Sequence, residues 1–388
     1  MYISLGFQKE VGGLPCRLWP PSPEGRASYH CHPGPDQGLG NSPLSPQISL
    51  LCGSGMGGME AEVVRGSMSH SDLTVVVPFY QRTPEPLVRA INSIKAQQGV
   101  GCPHVLIVDD ESPLPARSIL NEHFPGHESF IQLIEQKNKG AAGARNVALD
   151  HLPESTRYVA FLDSDDEWTP RHLDHALRIL SQGYDFYFSN YQRSDWPQDR
   201  FSQMKLNLQS HHCLDVERQL YGFVGDVLLP VMGQQMIKTS SVVYRWTALP
   251  EVRFPEHLVL GEDDVFWLRA LRKVNHAGFC FQVELEMGEG INISQGGGWG
   301  ELRSFRLMIE NLEKWRSLPR LFPDEVALPE LCRENIHKIR QDFVAGLLHR
   351  LRRREGLPMD YWARYTRLDP LWFSTLPTQI LKKLGDKP

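Results

Sequence analysis

Between residues 72 and 170, short apolar runs alternate with segments that carry apolar residues on one face of a helix. The apolar runs are rich in β-branched or aromatic residues and are predicted as strands: 73–77, 104–108, 129–134 and 158–162. The helical segments between them include 85–98 and 141–149. Repeated strand–helix–strand units of this length form a mostly parallel sheet with helices on both faces. The sequence therefore predicts an α/β domain of Rossmann-like architecture.

Downstream of residue 170 the pattern continues. The further predicted elements are a helix at 171–182, strands at 184–191 and 241–244, and a helix at 263–273. The stretch 301–388 is predicted to be a largely helical, basic C-terminal extension. We therefore predict an α/β domain over 71–300 followed by this extension.

Residues 1–70 have a different composition. They are rich in Gly, Pro and Ser, and they show neither a helical nor a strand period. Such a segment cannot bury enough apolar surface to offset the entropy of ordering it, so we predict a disordered leader. A further hypothesis is that translation begins at Met56, Met59 or Met68 and that the leader is not translated.

Composition excludes several classes of protein. A net charge of −5 gives no reason to expect nucleic acid as a partner. No segment reaches the roughly 18 consecutive apolar residues of a membrane span, and the start of the chain lacks the basic-then-apolar layout of a signal peptide. The seven cysteines are scattered without a Cys-x-x-Cys pair, which is typical of reduced thiols. These features predict a cytoplasmic protein.

A cluster of carboxylates follows the strand predicted at 158–162. Asp163 and Asp165 flank Ser164, and two further acidic residues come directly after them. Crowded carboxylates repel one another unless a cation or hydrogen-bond donors compensate. Oxygen ligands of this kind hold Mg²⁺ or Mn²⁺ against phosphate oxygens. The pattern therefore predicts a site for one of these ions, with a solvated acidic turn as the alternative.

Polar groups also follow the other predicted strands. Pro78 and Tyr80 end the first strand, and Asp110, a candidate acceptor of hydrogen bonds from a base or ribose, ends the second. Because the carboxyl ends of parallel strands meet at one edge of a sheet, these residues are predicted to line one crevice with the acidic cluster. Lys139 and Arg145 lie in a glycine-containing stretch at the start of the next helix, where phosphate is favoured. The alternative role of the glycines is packing.

Taken in order, these motifs resemble those of the family 2 glycosyltransferases of GT-A fold. The blocks that carry the resemblance are 75–80, 108–112, 138–146, 161–166 and 253–269. Three further stretches are most similar to the glucosyltransferases of bacterial succinoglycan-type exopolysaccharide assembly: 162–168, 184–190 and 295–300. The resemblance implies a GT-A domain that uses a nucleotide-sugar donor and a divalent metal ion.

The resemblance also implies roles for individual residues. The nucleotide sugar would lie against Pro78, Tyr80, Asp110, Lys139, Arg145, Asp163 and Ser164. Mg²⁺ or Mn²⁺ would bind Asp165 and neutralise charge on the departing diphosphate. Asp263 would be the general base that takes the proton from the acceptor hydroxyl. Glu262 and Trp299 would contact the acceptor.

Plainer interpretations of the last residues stay open. Acidic residues such as Glu262 and Asp263 commonly cap a helix, and Asp264 is an alternative base. Trp299 lies in a glycine-rich stretch, where it would either stack on an acceptor sugar or act as a hydrophobic clasp.

The sequence as a whole predicts an inverting, metal-dependent glycosyltransferase that moves glucose from UDP-glucose to a lipid-linked oligosaccharide in exopolysaccharide biosynthesis. One alternative is a nucleotidyl- or phosphotransferase on a similar sheet, although the chain has no Gly-x-x-x-x-Gly-Lys-Ser/Thr motif. The other is a catalytically inactive module that binds a sugar nucleotide or a glycan. The presence of Asp110, Asp165 and Asp263 together argues against such a module.

An amphipathic helix is predicted at 335–354 in the C-terminal extension. Its apolar face is accompanied by several arginines and followed by aromatic residues. A basic helix of this kind can lie on an anionic membrane leaflet, which predicts peripheral contact with the cytoplasmic face of the inner membrane. The alternative is that the apolar face docks on the catalytic domain and the arginines are solvated.

Overall fold

Ten strands form one sheet in the part of the chain that the structure describes, a computed structural model covering residues 72–288, 300–356 and 358–377. In chain order they are β1 (Leu73–Phe79), β2 (His104–Asp110), β3 (Ile131–Gln136), β4 (Tyr158–Phe161), β5 (Glu167–Trp168), β6 (Phe186–Arg193), β7 (His212–Asp215), β8 (Leu220–Gly222), β9 (Val242–Arg245) and β10 (Ala277–Met287). The predicted leader at 1–70 and Trp299 lie outside the described residues.

The sheet is mixed but mostly parallel. Its order is β3-β2-β1-β4-β9-β6-β10-β8-β7, and β5 pairs with β10. Strands β1 to β4 run parallel, β6 and β10 form another parallel pair, and β9 runs antiparallel between β4 and β6. Every residue of β1 is buried, as expected for a parallel strand covered on both faces. The predicted α/β class is confirmed.

The helices of the described residues follow the sequence pattern closely. They are α1 (Glu85–Lys95), α2 (Ala116–His123), α3 (Gly140–Asp150), α4 (His172–Leu180), α5 (Arg200–Met204), α6 (Glu262–Lys273), α7 (Leu302–Leu321), α8 (Leu328–Arg352) and α9 (Met359–Leu368). Helices α1, α3, α4 and α6 lie where the apolar period predicts them, with ends shifted by at most three residues. The short helices α2 and α5 were not predicted.

Alternate residues of the central strands enter different hydrophobic clusters. Val75 and Val77 of β1 pack with Leu87 of α1 on one face of the sheet. Val76 packs on the other face, in the cluster that also contains Trp267 of α6. The helices therefore cover both faces, and α6 lies on the same face as α3.

The C-terminal helices pack against one another and against the sheet domain. Phe343 and Leu347 of α8 are buried in a cluster with residues of α7 and α9. Trp315 of α7 belongs to the same cluster as Trp267 of α6. The apolar face of the predicted amphipathic helix is therefore largely covered by protein, while Leu351 near its end is exposed. No helix among the described residues is both long and apolar enough to cross a membrane.

Candidate active site

Hydrogen bonds join the carboxyl ends of the central strands at one edge of the sheet. The amide nitrogen of Gln81, two residues after β1, donates to Ser112 Oγ at 2.8 Å. Its side-chain Nε2 donates to Ser164 Oγ at 3.2 Å. Ser164 is itself buried. Pro78 is buried within β1, whereas Tyr80 directly after the strand is partly exposed.

The two aspartates at the end of β2 hold neighbouring loops. Asp109 accepts hydrogen bonds from the backbone N–H groups of Ser112 and Ala116, each at 2.8 Å. Asp110 accepts from the N–H groups of Lys139 and Gly140, also at 2.8 Å. The carboxylate of Asp110 therefore occupies the start of α3, where the sequence predicted a phosphate. Its contact with a base or ribose stays a prediction.

Arg145 of α3 connects two parts of the site. Its guanidinium donates to Asp163 Oδ1 at 2.6 Å and to Glu262 Oε1 at 3.3 Å, and it lies over the ring of Phe254. The residue is only 4% exposed. A buried charge needs a partner of opposite sign, and these two carboxylates supply it. Arg145 therefore joins the end of β4 to the first turn of α6.

The acidic cluster carries an excess of negative charge. Burial opposes ionisation of Asp163, but Arg145 and Lys238 hold its pKa below the ordinary value. Burial and the neighbouring charges of Asp165 and Asp163 raise the pKa of Asp166 to about 7. Asp166 accepts hydrogen bonds from Ser240 Oγ at 2.5 Å and from the backbone N–H of Gly288 at 3.0 Å. Crowded carboxylate oxygens with unbalanced charge suit a hard divalent cation.

Three consecutive carboxylates open α6. Glu262 contacts Arg145, and burial together with Asp263 raises the pKa of Glu262 to about 7. Asp263 is half-buried and accepts the backbone N–H of Asp264 at 2.8 Å. Asp264 is buried and contacts Lys314 Nζ at 3.0 Å. Burial raises the pKa of Asp264 to about 6, and Lys314 opposes that rise.

The acidic cluster and the first turn of α6 share the same cations. Arg145 interacts electrostatically with Asp163 and with Asp263. Lys238, just before β9, likewise interacts with Asp163, Asp166 and Asp263, and together these carboxylates raise its pKa despite burial. The acidic cluster after β4 and the first turn of α6 therefore lie in one charged cluster.

Sequence reasoning missed Lys238 and Lys314. Lys238 could have been placed near the site from its position three residues before the strand predicted at 241–244. Because β9 is antiparallel to β4, its first residues lie at the edge where β4 ends. Lys314 had no local signal, since it pairs with a residue 50 positions earlier in the chain.

A second group of ligand-type side chains lies on α4 and β10. His175, Cys280 and Glu284 are buried, and their candidate ligand atoms lie within 4.8 Å of one another. Glu284 accepts hydrogen bonds from the His175 and Tyr187 side chains and contacts His172 Nδ1 at 3.1 Å. These hydrogen bonds satisfy the carboxylate without an ion.

Comparison with known proteins places the chain among sugar transferases. Residues 74–229 match the family described as Glycosyl transferase family 2. The chain is 30% identical over 324 residues to the Succinoglycan biosynthesis protein ExoW of Rhizobium meliloti (strain 1021), covering 81% of this chain and 99% of that protein. It is 33% identical over 122 residues to the Escherichia coli UDP-Glc:alpha-D-GlcNAc-diphosphoundecaprenol beta-1,3-glucosyltransferase WfgD, covering 31% of this chain and 46% of that protein.

Among solved structures, the chain is similar to the mannosyltransferase PcManGT from Pyrobaculum calidifontis, whose structure contains GDP-Man and Mn²⁺. The identity is 16%, the TM-score is 0.47, and the match covers 81% of this chain and 88% of that one.

Proposed function

We propose that this chain, which belongs to glycosyl transferase family 2, is a metal-dependent inverting enzyme that transfers glucose from UDP-glucose to a lipid-linked oligosaccharide during exopolysaccharide biosynthesis. The observation that carries the proposal is the bridge made by Arg145. It brings the carboxylates after β4 and the acidic turn of α6 into contact with one guanidinium. A donor side and an acceptor side can then act on the same reacting carbon.

The donor side is formed by the ends of β1, β2 and β4. Tyr80 offers a partly exposed ring directly after β1, and Lys139 offers a cation beside the start of α3. Asp165, with Asp163 beside it, would hold Mg²⁺ or Mn²⁺, because carboxylate oxygens with unbalanced charge are suitable ligands. A bound ion of this kind neutralises charge on the diphosphate leaving group.

The acceptor side is formed by the first turn of α6. Asp263 lies in the first turn of α6, at the positive end of the helix dipole. An ionised carboxylate can take the proton of an acceptor hydroxyl while that oxygen attacks the anomeric carbon. Because the attack comes from the side opposite the diphosphate, a UDP-α-sugar gives a β-linked product. Glu262, held by Arg145, would border the acceptor.

The names of the relatives support the donor and the acceptor. WfgD is named for UDP-Glc and for a diphosphoundecaprenol-linked acceptor, and ExoW is named for succinoglycan biosynthesis. Both enter this proposal by similarity. A cytoplasmic enzyme that makes peripheral contact with the inner membrane leaflet would meet both substrates.

The test is release of UDP from UDP-glucose, measured with and without a lipid-linked acceptor extract and with Mn²⁺ or a chelator. Asp263→Asn keeps the shape of the side chain and removes the base, so kcat should fall by at least about 100-fold. Donor affinity, measured by calorimetry, should stay within about twofold. Asp195→Asn is the control, because Asp195 is an exposed residue paired with Arg193.

Three results would overturn the proposal. Full activity of Asp263→Asn would show that Asp263 is not the base. Activity that persists in the presence of the chelator would show that the reaction does not need a metal ion. UDP-glucose binding without acceptor-dependent UDP release in the wild-type protein would favour the inactive binding module.

A further inference from the structure

Lys314 reaches from α7 to the first turn of α6. Its Nζ lies 3.0 Å from Asp264 Oδ2, and the two side chains are 10% and 13% exposed. The aliphatic part of Lys314 crosses Gly261, where a Cβ atom would overlap the lysine side chain. Gly261 also has a φ of +77°, in the left-handed region that favours glycine. The lysine is thus fitted closely onto the turn that begins α6.

The three carboxylates of this turn have different partners. Glu262 contacts Arg145 on one side, and Asp264 contacts Lys314 on the other. Asp263 lies between them and accepts the N–H of Asp264. Consecutive residues of a helix point about 100° apart, so holding the two flanking side chains fixes the direction of the middle one.

We propose that Lys314 is a positioning residue for glycosyl transfer, which holds Asp264 so that the neighbouring Asp263 is presented to the acceptor hydroxyl. This inference rests on the proposed function, in which Asp263 is the base. It assigns a role in the reaction to the C-terminal helices. Lys314 acts through Asp264 and does not itself contact the reacting atoms.

The charges around this turn support the proposal. Lys314 interacts electrostatically with Asp264, Asp263 and Glu262. The other charged or titratable groups that face the turn from neighbouring elements are Arg145 of α3, Lys238 before β9, Asp163 after β4 and Tyr191 of β6. Without the ammonium group of Lys314, the carboxylates lose one of the three cations that compensate them among the described residues. The carboxylates in the first turn of α6 then take up protons more easily.

The experiment compares Lys314→Met with Asp264→Asn in the full chain. Lys314→Met removes a cation and should shift the acid limb of the pH profile of kcat to higher pH. Asp264→Asn removes a neighbouring anion and should shift that limb to lower pH. Each variant should lower kcat at least about tenfold, with the donor KM within about twofold. Lys314→Arg keeps the charge and should restore the position of the acid limb.

The control variant is Glu325→Gln. Glu325 forms an ion pair with Arg272 near the other end of α6, so it joins the C-terminal region to the same helix away from the site. Glu325→Gln should leave kcat and its pH profile unchanged. Any loss of folded protein is separated from loss of activity by normalising kcat to the folded fraction from a urea titration.

The possible failures are distinguishable. If Asp263→Asn is inactive but neither Lys314→Met nor Asp264→Asn changes kcat or the acid limb, the positioning role is wrong and the base stands. If Lys314→Met does not fold, Asp264→Asn decides alone: an unmoved acid limb overturns the inference. If Asp263→Asn is fully active, the proposed function itself fails.

Discussion

Replacing Arg145 with methionine should destabilise the protein and disrupt its active site together. The guanidinium is buried and contacts Asp163 at 2.6 Å and Glu262 at 3.3 Å. Removing one partner of a buried ion pair costs about 3–5 kcal/mol, because a charge stays buried without compensation. Glu262 relieves part of this cost by taking up a proton, since its pKa is already raised to about 7 by burial and by Asp263. We therefore expect a loss of about 3 kcal/mol near neutral pH.

The assay is urea unfolding at pH 7.5, followed by tryptophan fluorescence. The midpoint should fall while the slope with denaturant stays constant, since the same surface is exposed on unfolding. Arg117→Met is the matched control, because it removes an exposed arginine–carboxylate pair with Glu135. That pair should contribute less than about 1 kcal/mol. The reasoning is refuted if Arg145→Met costs no more than Arg117→Met.

Two further outcomes concern the acidic turn after β4. Mn²⁺ should raise the melting temperature more at pH 8 than at pH 6, because Asp166, with its pKa raised to about 7 by burial, Asp165 and Asp163, loses its proton across that interval. Without metal, the contribution of Asp166 to the free energy of unfolding should fall as the pH rises from about 4 to 7, since its folded carboxyl keeps a proton that the unfolded one has lost. Scanning fluorimetry tests both, and equal Mn²⁺ effects at the two pH values would place the ion elsewhere. Gly288→Ala should lower kcat at least about tenfold, because a Cβ there would overlap the carbonyl oxygen of Asp165 and displace the turn. Gly356→Ala, which meets open space, is the control, and equal kcat values for the two variants would contradict this account.

The elements of the sheet that could be predicted are those whose residues carry the signal locally. β1 is an unbroken run of buried residues, and the apolar face of α1 repeats with the helical period. β10 was not predicted, although its polar residues Gln282, Glu284 and Glu286 alternate with apolar ones, a pattern typical of a half-buried strand. Glu284 is nevertheless buried, since side chains from α4 and β6 surround its carboxylate with hydrogen-bonding groups. A sequence window around β10 does not contain those partners.

The candidate site likewise contains residues whose positions could be predicted from the sequence and residues whose contacts could not. Its carboxylates follow predicted strands or open a predicted helix, so their clustering at one edge could be expected from the direction of parallel strands. The carboxylates that each cation contacts could not be predicted from the sequence. Arg145 contacts Glu262 across 117 positions of the chain, whereas its local glycine-containing stretch predicts a contact with phosphate. Lys238 reaches the site because β9 runs antiparallel to β4, a direction that no local pattern specifies.

The cations explain how a site so rich in buried acid can fold before any substrate arrives. Arg145, Lys238 and Lys314 come from three distant segments, and each faces a different subset of the carboxylates. Between them they compensate Asp163, Glu262 and Asp264, which would otherwise repel one another in a region of low dielectric constant. The compensation is incomplete, because burial and neighbouring carboxylates still raise the pKa of Asp166 and that of Glu262 to about 7. A divalent ion bound beside Asp166 would balance part of this excess on the metal side of the proposed site.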